Sequence, residues 1–186
     1  MHTILAFFVG VGLSATSGFR VFVPLLGLSI ANRAGLVPLA QGFEWIGSWP
    51  AIIAFGSATI IEIAAYYVPW LDNLLDTIAV PVAVAAGTVI TASVLVGLPP
   101  FLRWTLGVIA GGGVAGVVQG SSALLRGVST ATTGGAGNPL VSTGELIASV
   151  VGTIISIVMP IVAILLVGLI LFFIVRRMVR HSKRTA

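Results

Sequence analysis

The sequence predicts an all-α polytopic membrane protein: four transmembrane helices plus an N-terminal interrupted or re-entrant helical segment. Three observations carry that prediction. Only 8% of the 186 residues are charged, and 58% are hydrophobic, where a soluble domain carries about 25% charged residues. Mean hydropathy is +1.16. Uncharged runs recur at about the 20-residue length that crosses a bilayer. Five acids and nine bases cannot cover the surface of a soluble globule. That composition excludes an ordinary soluble enzyme and a disordered chain. It also excludes a nucleic-acid-binding domain, although the isoelectric point is about 10.8.

Residues 1–175 read as one integral membrane domain and 176–186 as a basic tail. Arg176, Arg177, Arg180, Lys183 and Arg184 supply five of the nine bases. Placed directly after a hydrophobic helix, such a tail anchors to anionic headgroups and expects a cytoplasmic C-terminus. The body before it carries four arginines against five acids. Cysteine is absent, so there is no disulfide framework, thiolate metal site or Cys nucleophile. Residues 1–18 resemble a signal sequence but lack a Lys/Arg-rich start, and are expected to belong to the mature protein.

The first element is the least regular. Residues 3–13 and 19–31 are apolar, with Ser14-Ala15-Thr16-Ser17-Gly18 between them. They form either one interrupted span or two half-helices meeting at a polar tip, which is tolerated at membrane depth only inside protein or a wet cavity. The four spans follow at 51–69, 77–97, 101–125 and 146–175, the third preceded by the breaker Gly97-Leu98-Pro99-Pro100. The last run is uncharged for 30 residues; as one helix it is about 45 Å long against a core of about 30 Å. It must tilt, overshoot or kink, with Pro160 as the natural kink. With the tail inside, Arg33 and Arg103 also fall inside, and Asp72, Asp76 and Glu145 outside.

A faint echo links the two halves. Gly12-Leu13-Ser14-Ala15-Thr16-Ser17 precedes Pro24, and Gly127-Val128-Ser129-Thr130-Ala131-Thr132 precedes Pro139 at the same spacing. Paired Gly/Pro-interrupted segments point to a midplane site, though two low-complexity stretches also match by chance.

Candidate site residues follow from hydroxyls and charges in apolar surroundings. Ser129, Thr130, Thr132, Thr133 and Asn138, with Gly134, Gly135 and Gly137, offer hydroxyls, an amide and exposed backbone able to replace a hydration shell; the plain alternative is a turn. Ser14, Thr16 and Ser17 precede Arg20, an expensive arginine in an apolar segment, fit to hold a carboxylate or phosphate. Arg126 near the end of its span reads as snorkelling to headgroups. Glu62, within Ile60-Ile61-Glu62-Ile63-Ala64, suits a coupling or gating carboxylate, or a structural ion pair with Arg20. Asp72 and Asp76 share a helical face and join it as coupling candidates, with Asp72 alternatively a helix cap. Gly107, Gly111, Gly112, Gly116 and Gly120 form a small-residue stripe for close helix approach, with Gly112 and Gly113 able to loosen the helix. The Gly10-Val11-Gly12-Leu13-Ser14-Ala15 match to a dinucleotide motif lacks a preceding strand. His2 and His181 leave no triad and no zinc site.

These segments together resemble a known family. Gly12-Leu13-Ser14-Ala15-Thr16-Ser17-Gly18-Phe19-Arg20 with Pro24-Leu25, Glu62 with Pro69 and Asp72-Asn73-Leu74-Leu75-Asp76, and Ser129-Thr130-Ala131-Thr132-Thr133-Gly134-Gly135 with Gly137-Asn138-Pro139 are similar to the bacterial membrane proteins catalogued as domain of unknown function 4126. The likeness runs over roughly residues 3 to 175. Relatives often carry a charged pair where this chain has Tyr66-Tyr67. The resemblance implies a polytopic protein of the bacterial inner membrane and names no substrate.

The functional expectation is a small secondary transporter or channel-like protein for a polar solute, with an anion the favoured class. No cofactor, metal or nucleic acid is expected, and no enzymatic activity; a homo-oligomer would complete the pathway. The alternative is a non-transporting membrane subunit or scaffold that packs against a partner complex or binds lipid.

Overall fold

The structure, a computed structural model, describes residues 3–182, and at 69–74, 76–77, 175 and 177–182 their backbone only. The described chain is helical without strands: α1 (Thr3–Ser17), α2 (Phe22–Arg33), a 3-10 turn (Glu44–Gly47), α3 (Trp49–Ala65), α4 (Pro69–Val94), α5 (Pro100–Leu106), a π-helical segment (Gly107–Gly112), α6 (Gly113–Thr133), α7 (Asn138–Val158) and α8 (Pro160–Ser182). Among the described residues, two stretches are long and apolar enough to cross a membrane, Pro100–Thr133 and Asn138–Val158, and several shorter apolar helices accompany them.

The N-terminal segment folds back on itself. Gly12 of α1 lies against Ser156, and Gly27 of α2 against Thr153. In one straight helix those glycines stand about 22 Å apart; here both meet neighbouring turns of α7. Pro24 enforces the break, because its ring would clash with the Arg20 carbonyl in a continuous helix. The tip, Gly18–Val21, is packed inside the bundle. Gly18 is pressed so close to α6 that a Cβ there would lie 2.6 Å from the Val118 side chain and 2.7 Å from the Ala115 carbonyl.

The expected 146–175 span is overturned. Met159 leaves the helix at φ −134° and ψ 66°, since the residue before a proline is pushed from the helical region. α8 then returns alongside α7: Gly144, Ala148 and Gly152 line one cavity of about 360 Å³ together with Ala163, Val167 and Ile170, and with Gly12, Thr16 and Phe19 of α1. The third span also reaches further than expected, to Thr133, and α4 begins at Pro69. Asp72 therefore lies inside the first turns of α4, whose N-cap is Val68.

Helix directions follow from paired residues. Ser14 meets Gly87 and Thr91 while Gly10 meets Val94, so α1 and α4 are antiparallel. Gly116 meets Val84 and Gly107 meets Thr88, so α4 and α6 are antiparallel too. The turn at 66–68, the turn at 134–137 and the end of α8 consequently share one end of the bundle. The start of α1, the end of α2, the 95–99 turn and Met159 share the other.

Most of the glycine stripe is consumed within the chain. Cβ atoms at Gly107 and Gly111 would strike the α4 backbone at Thr88 and Gly87, and one at Gly112 would strike the Thr88 hydroxyl; the π-helical widening falls on these residues. Polarity is distributed inside-out. Arg20, Arg126 and Gln119 are 1% exposed, whereas Ile60, Ile109, Leu124 and Leu165 are 68–73% exposed. Such an outer face suits hydrocarbon rather than water.

Candidate functional site

The tip of the α1–α2 hairpin positions the site. Chain reversal at Gly18–Val21 leaves the first N–H groups of α2 without helical partners. Glu62 of α3 supplies them: Oε1 accepts from Val21 N at 2.8 Å and Oε2 from Phe22 N at 3.1 Å. One carboxylate thus bridges two consecutive amides at the positive end of a helix dipole. Glu62 also lies in the field of the Arg20 and Arg126 charges.

Arg20 points into the bundle. Its Nη2 donates to Ser142 O at 3.0 Å and lies 3.7 Å from Glu145 Oε2. Arg126 donates from Nη1 to that same oxygen at 2.8 Å, and Ser122 Oγ donates to Glu145 Oε1. Both guanidinium groups cover the Tyr66 ring, Arg20 at 3.9 Å from its centroid and Arg126 at 4.6 Å. Gln119 completes the cluster when its amide is oriented, as its neighbours require, with the nitrogen 2.7 Å from Gly18 O and the oxygen 3.2 Å from Arg126 Nη2. Arginine suits this place because its planar group stacks and forks at once. The Nε and Nη1 atoms of Arg20 and the Ser142 hydroxyl are buried without hydrogen-bond partners.

A cavity of about 360 Å³ adjoins the capped helix end, lined by Val21, Phe22, Ala58, Glu62, Tyr66 and residues of α4 among others. Its wall is apolar apart from Glu62 and Tyr66. The exposed Ile61 and Ile78 also line it, so its mouth is on the outer apolar face between α3 and α4. Among the described residues no group of three metal-binding side chains converges.

The expected site residues divide. Arg20 and Glu62 come together at the tip. Ser14, Thr16 and Ser17 are buried joints: Ser14 Oγ donates to Gly87 O at 2.8 Å, Thr16 Oγ1 to Leu13 O at 2.7 Å, and Ser17 Oγ to Ser14 O at 2.7 Å. Ser129, Thr130, Thr132 and Thr133 belong to the last turns of α6 rather than to a loop. Thr132 and Thr133 bond back to Val128 O and Ser129 O, and Thr133 accepts from Gly137 N at 2.9 Å. Asn138 Nδ2 donates to Thr130 Oγ1 at 3.0 Å. These residues close a helical hairpin with Gly134 and Gly135 at positive φ. Asp72 and Asp76 lie outside the described side chains.

Sequence reasoning misplaced two members. Arg126 does not snorkel, since the α6–α7 hairpin folds Glu145 directly onto it. Glu145, expected in an outside segment, is 5% exposed at the centre of the cluster. Its spacing in Ser142-Thr143-Gly144-Glu145, beside buried Ser149, Thr153 and Ser156, marks a polar face on an apolar helix and was the available signal. Tyr66, which the sequence marks only by standing where relatives carry a charged pair, is the surface on which both arginines rest.

A family model described as "Domain of unknown function (DUF4126)" matches residues 7–180. No curated protein matches the chain, and no solved structure does.

Proposed function

The chain belongs to the DUF4126 family, whose description names no activity, and from the site itself we propose a non-enzymatic, secondary-transporter-like or channel-like membrane protein for a polar, anionic solute. In this reading α1–α2 is a re-entrant hairpin, entering a bacterial inner membrane from one side and returning to it. The other helices span, and a homo-oligomer completes the pathway. The observation that carries it is Arg20 at the hairpin tip, 1% exposed with Nε and Nη1 free of partners. A charge that costs several kcal/mol to bury persists where it has work to do. Broken helices with charged tips are how transporters build midplane sites. Glu62, on the neighbouring amides, is the gating carboxylate of this proposal.

Efflux of small anions from liposomes holding the purified protein tests it. The wild type is expected to pass at least one anion above empty liposomes, and Arg20→Ala to abolish that flux. Equal flux from both, or none, overturns the reading. The scaffold alternative draws support from Ser14 and Thr16, which knit α1 to α4 and α7. A fold held by such joints with no flux under any condition favours it.

A further inference from the structure

Glu62 occupies its place as a ligand would. A carboxylate oxygen on each of two successive amides, at the N-terminus of the 12-residue α2, is the arrangement in which helix ends hold free carboxylates. The neighbouring residue, Arg20, is almost wholly buried with two guanidinium nitrogens unpartnered, and it stacks on Tyr66, which lines the adjoining cavity. That cavity of about 360 Å³ has an apolar wall and opens past Ile61 and Ile78 on the lipid-facing side. One end of the site therefore takes a single carboxylate, and the space beyond it takes an aliphatic body. Resting on the anion-binding reading above, we infer that this is a site for an aliphatic carboxylate, and that Glu62 is its built-in competitor, displaced from Val21 N and Phe22 N when the ligand binds.

The exchange balances in charge and protons. Two ionised carboxylates cannot share the two amides. The arriving carboxylate takes the amide hydrogen bonds as an anion, in the field of the Arg20 charge that Glu62 now feels, and Glu62 leaves with one proton taken from solution. One anion and one proton enter together, so the net charge of the site is unchanged. The charged groups facing Glu62 are Arg20 from the hairpin tip and Arg126 from α6. Glu145 from α7 acts through both arginines, and Tyr66 caps the C-terminus of α3. The described α4 residues at the cavity, Leu75, Ile78, Ala79 and Val82, are apolar. Asp72 and Asp76 are the remaining carboxylates on that helix.

Isothermal titration calorimetry of the whole protein in nanodiscs tests this. Butyrate is added from water, or decanoate from the bilayer, at several pH values and in two buffers of different ionisation enthalpy. Binding is expected with one proton taken up per carboxylate, weakening about tenfold per pH unit once Glu62 is ionised. Butyramide and inorganic phosphate are expected not to bind, the first lacking charge and the second lacking the apolar body. Butyrate and decanoate binding alike places the source in either phase; decanoate alone makes it a bilayer ligand. Glu62→Gln should bind carboxylate with no proton uptake and no pH dependence. Unchanged proton uptake in that variant assigns the proton to another group and overturns the inference, as does failure of both carboxylates to bind wild type. If Glu62→Gln does not fold, Ala58→Trp fills the cavity without touching the cap; carboxylate binding undiminished in it also overturns the inference. Arg20-dependent flux of another anion without carboxylate binding would leave the transport reading standing and this inference fallen. Carboxylate binding without flux would do the reverse.

Discussion

Glu145 holds the centre of the polar cluster, and its removal shows what the cluster is worth. It accepts from Arg126 at 2.8 Å and from Ser122, and lies 3.7 Å from Arg20. Truncating one partner of a buried pair strands the other charge, at a cost of about 3–5 kcal/mol. Glu145→Ala is expected to lose stability on that scale in a denaturant titration. The double variant Arg126→Met, Glu145→Leu is expected to recover part of the loss, because it removes Arg126 together with its partner while Arg20 keeps Ser142 O and the Tyr66 face. Equal losses in both would mean that the pair does not act as a unit. Tyr66 sets a second test at this scale. With guanidinium groups at 3.9 and 4.6 Å from its ring, Tyr66→Leu should cost about 2 kcal/mol more than Tyr66→Phe, since only the former loses the π-face. The special character of Arg20 and Glu62 could be read in the sequence, because each is a lone charge in an apolar run. Arg126 and Glu145 are 19 residues apart, and no helical period links them. Only the turn at Gly134 and Gly135 brings them together, so Arg126 read as an end-of-span charge and Glu145 as a loop charge.

Element by element, the breaks mattered more than the helices. Apolar runs marked where the helices lie, because hydropathy reports burial from water regardless of neighbours. Their ends differ: α4 begins at Pro69 rather than 77, α6 runs to Thr133 rather than 125 and α7 begins at Asn138 rather than 146, since polar residues also fill helix ends. Fold-back is set by the geometry at single residues, Pro24 against the Arg20 carbonyl and Pro160 after Met159, and proline reads the same in a kink as in a hairpin. The cysteine-free chain suits spin labelling, and labels at Ala148 and Ile170 test the second hairpin. One continuous helix holds these positions about 33 Å apart; the fold-back, in which both line one cavity, predicts a clearly shorter distance. A measured separation near the longer value would restore the single span. The glycines carry a parallel contrast. Gly111→Ala drives a methyl into the Gly87 carbonyl on α4 and is expected to cost about 1–3 kcal/mol as an overpacked contact. Gly120→Ala meets nothing, and replacing a helical glycine there should leave stability equal or raise it by up to about 1 kcal/mol. Thermal unfolding of the two variants separates a stripe built for α4 from one serving an external partner. The sequence echo also gains a physical form, since Gly12–Ser17 and Gly127–Thr132 each end a helix that turns back into one with proline in its first turns.

For the whole molecule, the second hairpin reverses an argument about charge. The basic tail, Arg33 and Arg103 were expected on one side of the membrane, opposite Asp72, Asp76 and Glu145. That arrangement counted 146–175 as a single crossing. Two helices in its place carry the end of α8 back to the end of the bundle that holds the 134–137 turn. Arg33 and the 95–99 turn lie at the opposite end, as does the start of α1. The bases on the last turns of α8, Arg176, Arg177 and Arg180, then weigh against the two arginines of the other end, and Glu145 leaves the count because it is buried with Arg126. The positive-inside tendency weighs bases near helix ends, so in the proposed membrane reading the tail alone sets the orientation, and Arg33 and Arg103 are then expected outside. Single cysteines at Leu36, Val96, Gly135 and Ser182, probed with an impermeant maleimide in sealed right-side-out vesicles, distinguish the two topologies. The hairpins predict that Gly135→Cys and Ser182→Cys react alike, and that Leu36→Cys and Val96→Cys react together with the opposite outcome. Labelling of Ser182→Cys in step with Val96→Cys would mean that α7 and α8 cross as one helix. The cavity shared by Gly152 and Val167 would then have no basis, whereas the Arg20 tip, held by Glu62 and Glu145 from α3 and α7, would survive the change of topology.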